Sequence, residues 1–324
     1  MREMTRWHAM LHDALGPVIL DALAGTDTRE VMVNPDGTIW HDRDGQTAVC
    51  LGTQRARATE AVIRLVASLN AKSISFAHPS LHAVLPSGER FQGFVPPRTK
   101  GPSFCIRKPQ AQVLSRDDYV PASCSAETWD RMVQAVQRRE NVMLCGGMGS
   151  GKTTLLNALV RLIAPTVRLC TMEDTAEAVV EVPNHIQLYT SDDADLQAVV
   201  KEGFRTAAHQ CLVGEIRDGV TALNTLKLWL GIGGGICTTH ADSAFDALPR
   251  WEFLCGEVAP GQYGPQLAGV IDLVVYLKTV AGHCRILQMA AIKGWNNGTY
   301  DYEILLDECR MPAGARAGGA EYAC

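Results

Sequence analysis

The stretch Val142-Met-Leu-Cys-Gly-Gly-Met-Gly-Ser-Gly-Lys-Thr153 decides the fold class. It begins as a short apolar strand, Val142–Cys145, and continues as a glycine-rich loop that leads into a predicted helix, Thr153–Ile163. Gly146–Thr153 fits the pattern G-x-x-x-x-G-K-[ST], and a strand before it and a helix after it are the context that this pattern requires. The stretch therefore predicts a phosphate-binding loop (P-loop) in an α/β domain.

The residue types of the loop explain how it would hold a nucleotide. Glycine has no Cβ, so the backbone N–H groups can turn inward around an anion, and the N-terminus of the helix adds a positive dipole end. Lys152 supplies a point charge for the β- and γ-phosphates, and the Thr153 hydroxyl can ligate Mg²⁺. We therefore expect ATP and Mg²⁺ as ligands of Gly146, Gly147, Met148, Gly149, Ser150, Gly151, Lys152, Thr153 and Thr154.

Composition limits the other function classes. The 324 residues are 47% hydrophobic, which suffices for about two domains. A net charge of −5 gives no strong sign of direct nucleic-acid binding. No apolar run approaches the roughly 20 residues of a spanning helix, and the N-terminus lacks the apolar core of a signal peptide. We expect a cytoplasmic protein that reaches a membrane only peripherally, through a partner or a surface. The eleven cysteines form no Cys-x-x-Cys pair and predict buried thiols rather than zinc ligands.

The first part of the chain predicts a small α+β domain over residues 1–112. Turn signals separate short strands that would pair mainly antiparallel. The predicted elements are a helix in Met10–Leu23, a hairpin in Val31–Trp40, a helix in Ala58–Leu69, and strands at Leu81–Leu85, Arg90–Val95 and Ser103–Arg107. We interpret residues 113–125 as a linker because they are polar and irregular.

The second part, residues 126–324, alternates strands and helices, which predicts a parallel-rich sheet with covered faces. Ser125 is the expected N-cap of its first helix, which runs to about Gln137. The remaining predicted elements are strands at Val167–Thr171, Gln210–Val213, Val270–Leu277 and Cys284–Met289, and helices at Val220–Leu230 and Ala244–Leu254. We expect the tail from Met311 to be frayed.

Acidic residues follow two of these strands. Glu215 ends the apolar run Cys211–Gly214, where it could orient an attacking water and support Mg²⁺ beside Thr153. Glu173 and Asp174 follow the strand Val167–Thr171, and the carboxyl ends of parallel strands share one crevice. A solvated strand end is the weaker explanation for Glu215, whereas a surface turn explains Glu173 and Asp174 equally well.

Two basic side chains complete the candidate set. Arg217 lies two residues beyond Glu215, and His240 ends a loop that begins with the glycines Gly233–Gly235. Such a loop suits a group that senses the γ-phosphate. From spacing alone, a single histidine such as His240 more often has a structural role.

These pieces, in this order, resemble the type II/IV secretion ATPases, with the closest likeness to the TrbB-type conjugative-transfer members. The resemblance runs from about Leu15 to about Leu306. Gly-Glu-Ile-Arg followed by Thr-His-Ala is its specific part. The matching segments are the Walker A loop Gly146–Thr153, the acidic box Thr171–Thr175, the Walker B segment Leu212–Asp218, the histidine box Gly231–Asp242, and the N-terminal pieces Gly88–Pro97 and Phe104–Lys108.

The resemblance implies a RecA-like ATPase domain and a homo-oligomeric ring, usually a hexamer, that works with the inner-membrane secretion or conjugation machinery. It places ATP between the two domains, with Arg90 and Arg107 reaching the γ-phosphate. The catalytic residues that it implies are Lys152, Glu173, Glu215, Arg217 and His240.

Two segments depart from the family pattern. Ile232 and Gly233 stand where the histidine box usually has His-Pro, and Arg205-Thr-Ala-Ala-His209 replaces an Arg-x-Arg-Pro-Asp segment. We therefore expect nucleotide binding to be kept and intersubunit activation of hydrolysis to be weaker. Two alternatives remain open: a pilus or type II secretion motor, and a nucleotide-regulated structural subunit with weak hydrolysis.

Overall fold

A computed structural model describes residues 2–43, 46–108, 115–117, 124–191, 194–280 and 283–309, with side chains from residue 9 onward. The chain divides into two compact units, 1–110 and 111–324. Most of the predicted linker, 113–125, lies outside the described residues, so the bounds of the two domains and of the linker stay a prediction. None of the described helices is both long and apolar enough to cross a lipid bilayer.

The first unit is an antiparallel sheet covered by two helices. The sheet has the strand order β3-β2-β1-β6-β5-β4. Its elements are α1 (Arg2–Ala24), β1 (Thr28–Val33), β2 (Thr38–Arg43), β3 (Val49–Thr53), α2 (Ala56–Leu69), β4 (Ser80–Val84), β5 (Arg90–Phe94) and β6 (Ser103–Arg107).

Alternation along the strands of this unit places its core. Val31, Phe91 and Ile106 point to one face of the sheet and are buried with Ile19 of α1 and Ile63 of α2. The predicted hairpin, helices and strands of this unit are confirmed, with α1 extending beyond its predicted start. β3 was not predicted, because its residues are mostly exposed on both faces and carry no alternating pattern.

The second unit is built on a mixed sheet with the strand order β14-β13-β12-β7-β11-β10-β8-β9. The strands from β12 to β9 in that order are parallel, and β13 and β14 are added antiparallel. The helices are α3 (Ala126–Gln137), α4 (Lys152–Val160), α5 (Leu196–Gly203), α6 (Gly219–Gly231), α7 (Ala247–Val258) and α8 (Gly264–Val270). The strands are β7 (Val142–Gly146), β8 (Leu169–Glu173), β9 (His185–Tyr189), β10 (Gln210–Ile216), β11 (Ile236–Thr239), β12 (Leu273–Val280), β13 (His283–Asn296) and β14 (Thr299–Asp307).

Helices cover both faces of this sheet. α3 and α4 pack on one face, where Leu144 of β7 and Leu159 of α4 share a core. α5 to α8 pack on the other face, around Met143 and Trp229. Because both faces are buried, the central strands are continuous apolar runs, as in β7, where every residue is buried. The Ser125 side chain accepts a hydrogen bond from the Thr128 N–H, which confirms the predicted N-cap of α3.

Some predicted elements were misplaced. The single strand predicted at Val270–Leu277 was wrong in its first residues: α8 ends at Val270, and β12 runs from Leu273 to Val280. Neither β9 nor β14 was predicted. The strand predicted at Val167–Thr171 is β8, shifted toward the C-terminus, so Glu173 is part of the strand instead of following it. The tail from Met311 lies outside the described residues.

Candidate nucleotide-binding site

The loop between β7 and α4 has a backbone that requires glycine at several positions. Gly146, Gly149 and Gly151 have φ angles of 151°, 69° and 89°, a region that other residues rarely adopt. A Cβ at Gly146 would lie 2.2 Å from the Leu277 carbonyl oxygen, and a Cβ at Gly151 would lie 2.3 Å from Cys284 Sγ. The predicted P-loop is thus folded around glycines that no other residue can replace without strain.

Lys152 is buried at the first residue of α4 and lies within the curve of this loop. Its Nζ donates to the carbonyl oxygens of Gly146 and Gly147, both at 2.8 Å. Burial lowers the pKa of Lys152, while the nearby Glu215 carboxylate favours the charged form. The ammonium group is therefore positioned at the loop that would surround the phosphates.

Ser150 adds an unsatisfied polar atom to the loop. The residue is 3% exposed, and its Oγ is buried without a hydrogen-bond partner among the described residues. A buried polar group without a partner costs stability. The unsatisfied Ser150 hydroxyl therefore fits a loop that receives phosphate oxygens.

Thr153, the predicted magnesium ligand, has a carboxylate partner that the sequence analysis missed. Its Oγ1 donates to Glu177 Oε2 at 2.9 Å. Glu177 follows the acidic box by a few residues, on the segment that turns back after β8. Hydroxyl and carboxylate oxygens can bind Mg²⁺ directly or through one of the several waters that it usually keeps. A third acid in the same segment as Glu173 and Asp174 was the available sequence signal.

Glu173 is more deeply buried than the sequence suggested. It is 3% exposed, and its Oε1 accepts the backbone N–H groups of Glu177 at 3.0 Å and Ala178 at 2.8 Å. Burial raises its pKa, although these two hydrogen bonds oppose that effect. Its Oε2 is buried without a partner among the described residues. Glu173 therefore fixes the turn that carries Glu177, and its catalytic role stays a prediction.

A continuous set of polar contacts connects the ends of β8, β10 and β11 to the loop. Glu215 Oε1 lies 2.8 Å from His240 Nε2, and Glu215 Oε2 accepts from Arg217 Nε at 2.6 Å. Arg217 Nη1 lies 3.2 Å from Asp174 Oδ2, and His240 Nδ1 lies 3.2 Å from the Gly146 carbonyl oxygen. These candidates thus meet at the edge of the sheet where Lys152 lies.

The backbone around Glu215 is positioned by close packing. A Cβ at Gly214 would lie 3.2 Å from Glu173 Cγ, so the glycine lets β10 approach the buried acid of β8. Thr238 Oγ1 donates to the Gly214 carbonyl oxygen at 2.7 Å and ties β11 to the same point. This packing explains why a glycine precedes Glu215 near the end of β10.

The arginines predicted to reach the γ-phosphate belong to the first unit. Arg90 of β5 and Arg107 of β6 are directly opposite each other in the antiparallel register. Arg107 Nε lies 3.7 Å from Glu30 Oε1 on the neighbouring strand β1. The two side chains thus share one region of the sheet, and their action on a nucleotide stays a prediction.

Comparison with known protein families gives a match over most of the chain. A family model described as "Type II/IV secretion system protein" matches residues 51–310. The chain belongs to this family. The predicted membership of the type II/IV secretion family is thereby confirmed.

Relatives in this family include proteins of conjugation and of type IV secretion. The conjugal transfer protein TrbB of Rhizobium radiobacter is 35% identical over 309 residues, which cover 94% of this chain and 95% of the relative. The type IV secretion system protein PtlH of Bordetella pertussis is 32% identical, in an alignment that covers 80% of this chain and 88% of PtlH. The likeness to TrbB confirms the predicted TrbB-type character of this member of the type II/IV secretion family.

Solved structures confirm the fold class. The pilus retraction motor PilT with bound ADP has a TM-score of 0.61 at 16% identity, covering 90% of this chain and 82% of its own. The ATPase DotB of Legionella pneumophila has a TM-score of 0.58 at 17% identity, and the match covers 83% of this chain and 78% of the DotB chain. At such identities these likenesses concern the fold alone. The parallel-rich α/β domain with a smaller α+β domain before it is as predicted.

Proposed function

We propose that this protein hydrolyses ATP as a ring-forming motor of a conjugative type IV secretion system. The observation that carries the proposal is the position of Glu215, which is bonded to His240 and Arg217 beside the P-loop. Both oxygens of this carboxylate are held by neighbouring side chains, next to a phosphate-binding loop. Such a carboxylate is suited to orient a water molecule for hydrolysis, which is more than nucleotide binding requires.

The loop would bind the phosphates through its backbone N–H groups and Lys152. Thr153 would ligate Mg²⁺, with Glu215 and Glu177 as supporting carboxylates. The metal neutralises charge on the β- and γ-phosphate oxygens when it is bound. No group of three His, Cys, Asp or Glu side chains in the described part of the chain forms a metal cage. A site that shares Mg²⁺ with the nucleotide and water fits that donor set.

In the hydrolysis step, Glu215 orients a water molecule toward the γ-phosphorus and accepts its proton. The water oxygen forms a bond to phosphorus while the bond from phosphorus to the ADP oxygen breaks, which gives ADP and phosphate. His240 and Arg217 hold the carboxylate in place, and Arg90 and Arg107 add positive charge at the γ-phosphate. Arginines in such positions are worth roughly 10³–10⁵ in rate.

The conjugative role is supported by the relative named conjugal transfer protein TrbB, which aligns over almost the full length of both chains. We infer a cytoplasmic homo-oligomeric ring, hexameric by analogy with the family, that acts on inner-membrane secretion proteins. A ring requires heterologous, head-to-tail contacts. A pilus retraction motor is less favoured, because the solved PilT structure is similar in fold at only 16% identity.

A nucleotide-regulated subunit with weak hydrolysis is the second candidate, and specific residues favour it. Ile232 packs against the core beside α6 instead of presenting a polar group, and Ala207 and Ala208 replace residues that the family pattern has as Arg and Pro. Such a protein would bind ATP without rapid turnover.

Two measurements on the purified full-length protein test the proposal. Phosphate release measures ATP hydrolysis, and electron micrographs recorded with and without ATP show whether rings form. Lys152→Ala should abolish turnover while circular dichroism stays unchanged. Lys201→Ala, at an exposed lysine in the last turn of α5, is the matched control. Unchanged hydrolysis in Lys152→Ala would refute the proposal. Rings and nucleotide binding without measurable turnover in the unaltered protein would favour the second candidate.

A further inference from the structure

A groove lies on the second unit, away from the nucleotide-binding site. It is formed by α7, the segment 261–263 and the tip of the β13–β14 hairpin, and has a volume of about 660 Å³. A second hollow of about 350 Å³ continues it and shares Pro249, Glu252, Trp295 and Gly298. The two hollows are thus neighbouring parts of one groove.

The strand register places this groove at the end of the sheet opposite to the P-loop. Gly146 of the P-loop pairs with Leu277 of β12. Ala291 of β13 pairs with Leu273, at the other end of β12, and Trp295 lies beyond that pair on the hairpin. A ligand of the groove would therefore not touch the residues proposed to bind ATP.

Aromatic side chains form the walls. The Trp295 and Tyr300 rings are 4.7 Å apart in an edge-to-face arrangement, and the Phe245 and Tyr302 rings are 5.3 Å apart in the same arrangement. Phe253 of α7 is 67% exposed at the rim. Aromatic faces that are open to a groove carry negative charge density and attract cations.

One carboxylate lies among these rings. Glu252 is the only charged side chain among the described residues that line either hollow. A Cβ at Gly264 would lie 2.3 Å from Trp295 Cη2 and 2.6 Å from Glu252 Oε1, so the indole and the carboxylate lie side by side on that glycine. Within the described part of the chain, the ion pairs include none to Glu252.

Neighbouring phenols show the effect of this carboxylate. Burial raises the pKa of Tyr300, and the charge of Glu252 raises it further. The Tyr300 hydroxyl lies beside Glu252, and a hydrogen bond to that carboxylate also raises the pKa of Tyr300. Burial, with Asp246 and Glu252, raises the pKa of Tyr302 to about 12. The groove thus combines aromatic faces with the negative charge of Glu252.

We propose that this groove binds an arginine side chain carried by an extended segment of a partner polypeptide. The guanidinium group would stack on Trp295 and pair with Glu252. A planar guanidinium is more weakly hydrated than an ammonium group and stacks on aromatic faces. The volumes of the two hollows, about 660 and 350 Å³, exceed what a guanidinium group fills, so the groove has room for the polypeptide that carries the arginine.

Fluorescence anisotropy of a labelled hexa-arginine peptide, titrated with the full-length protein at physiological salt, tests the proposal. We expect saturable binding that hexacitrulline, which keeps the shape but lacks the charge, does not show. Glu252→Gln should weaken the affinity about 10-fold or more, since it removes the charge partner of a desolvated cation. Phe253→Ala should weaken it several-fold by removing a cation–π face.

Glu257→Gln is the matched control, because Glu257 is an exposed acid on the same helix that does not line the groove. It should bind hexa-arginine like the unaltered protein, and ATP hydrolysis should be the same in all these variants. Equal affinities of Glu252→Gln and Glu257→Gln, or equal binding of hexacitrulline, would overturn the proposal. A loss of self-association in Glu252→Gln, without hexa-arginine binding by the unaltered protein, would also overturn it and assign the groove to a second copy of the chain.

Discussion

His240 Nε2 lies 2.8 Å from Glu215 Oε1, while its Nδ1 lies 3.2 Å from the carbonyl oxygen of Gly146. One imidazole ring therefore joins the acid at the end of β10 to the first residue of the P-loop. Gly146 begins the loop that would surround the phosphates, so this ring lies between the loop and the carboxylate. We therefore propose a positioning role for His240, which its place in the sequence could not indicate.

His240→Ala should lower the rate of ATP hydrolysis about 10- to 100-fold with little change in nucleotide affinity. The physical reason is that a displacement of about 1 Å in an orienting group can cost about 10²-fold in rate. Phosphate release gives the rate, and titration with a fluorescent ADP analogue gives the affinity. His82→Ala, at an exposed histidine of β4, is the control. A large loss of ADP affinity with an unchanged rate at saturation would contradict the positioning role.

Glu177→Gln should raise the Mg²⁺ concentration needed for half-maximal hydrolysis. Its carboxylate accepts from the Thr153 hydroxyl, and removal of such a supporting group typically weakens metal affinity about 10- to 100-fold. Phosphate release at saturating ATP over a range of Mg²⁺ concentrations measures this. Glu181→Gln, which alters an acid paired with Arg161 on the surface, should leave the Mg²⁺ dependence unchanged. An identical Mg²⁺ curve for both variants would exclude Glu177 from the metal site.

Arg107→Ala and Arg90→Ala should each reduce hydrolysis by about 10³-fold or more, if these side chains contact the γ-phosphate as proposed. ADP affinity should change little, because ADP lacks that phosphate. Phosphate release and ADP titration separate the two effects. Arg64→Ala, which removes an exposed pair with Glu60, serves as the control. Rates near that of the control would mean that the first unit does not complete the site.

The local parts of the site could be predicted from the sequence, and the parts that depend on strand pairing could not. The P-loop followed from its glycines and Lys152, because these act through backbone geometry within one short segment. Glu215 followed from its place at the end of an apolar strand. The burial of Glu173 depends on β8 extending to it beside β9, a pairing that no local pattern indicates.

The fold shows the same division. The parallel core was predictable because strands that are buried on both faces are continuous apolar runs. β14 was not, since it lies at the edge of the sheet, and its residues alternate between exposed and half-buried positions without a clear apolar face. Glu177 was missed for a related reason: its importance comes from the turn that Glu173 stabilises, which brings it back to Thr153.

The free energy of unfolding of Glu173→Gln, relative to that of the unaltered protein, should increase as the pH rises above about 4.5. Burial raises the pKa of this carboxyl above its ordinary value of 4.5. Between the unfolded-state and folded-state pKa values, the folded state therefore binds more protons than the unfolded state. The stability of the unaltered protein therefore falls with rising pH in that window, by about 1.4 kcal/mol for each pH unit within it. A glutamine cannot titrate, and its carbonyl can still accept the N–H groups of Glu177 and Ala178.

Urea unfolding of both proteins at a series of pH values gives the free energies of unfolding. The difference in favour of Glu173→Gln should be smallest below pH 4.5, grow through the window and become constant above the folded-state pKa. Glu202→Gln, at an exposed acid of α5, should show no such growth. A difference between Glu173→Gln and the unaltered protein that does not vary with pH would mean that the buried carboxyl titrates alike in the folded and unfolded states, contrary to the effect of its burial.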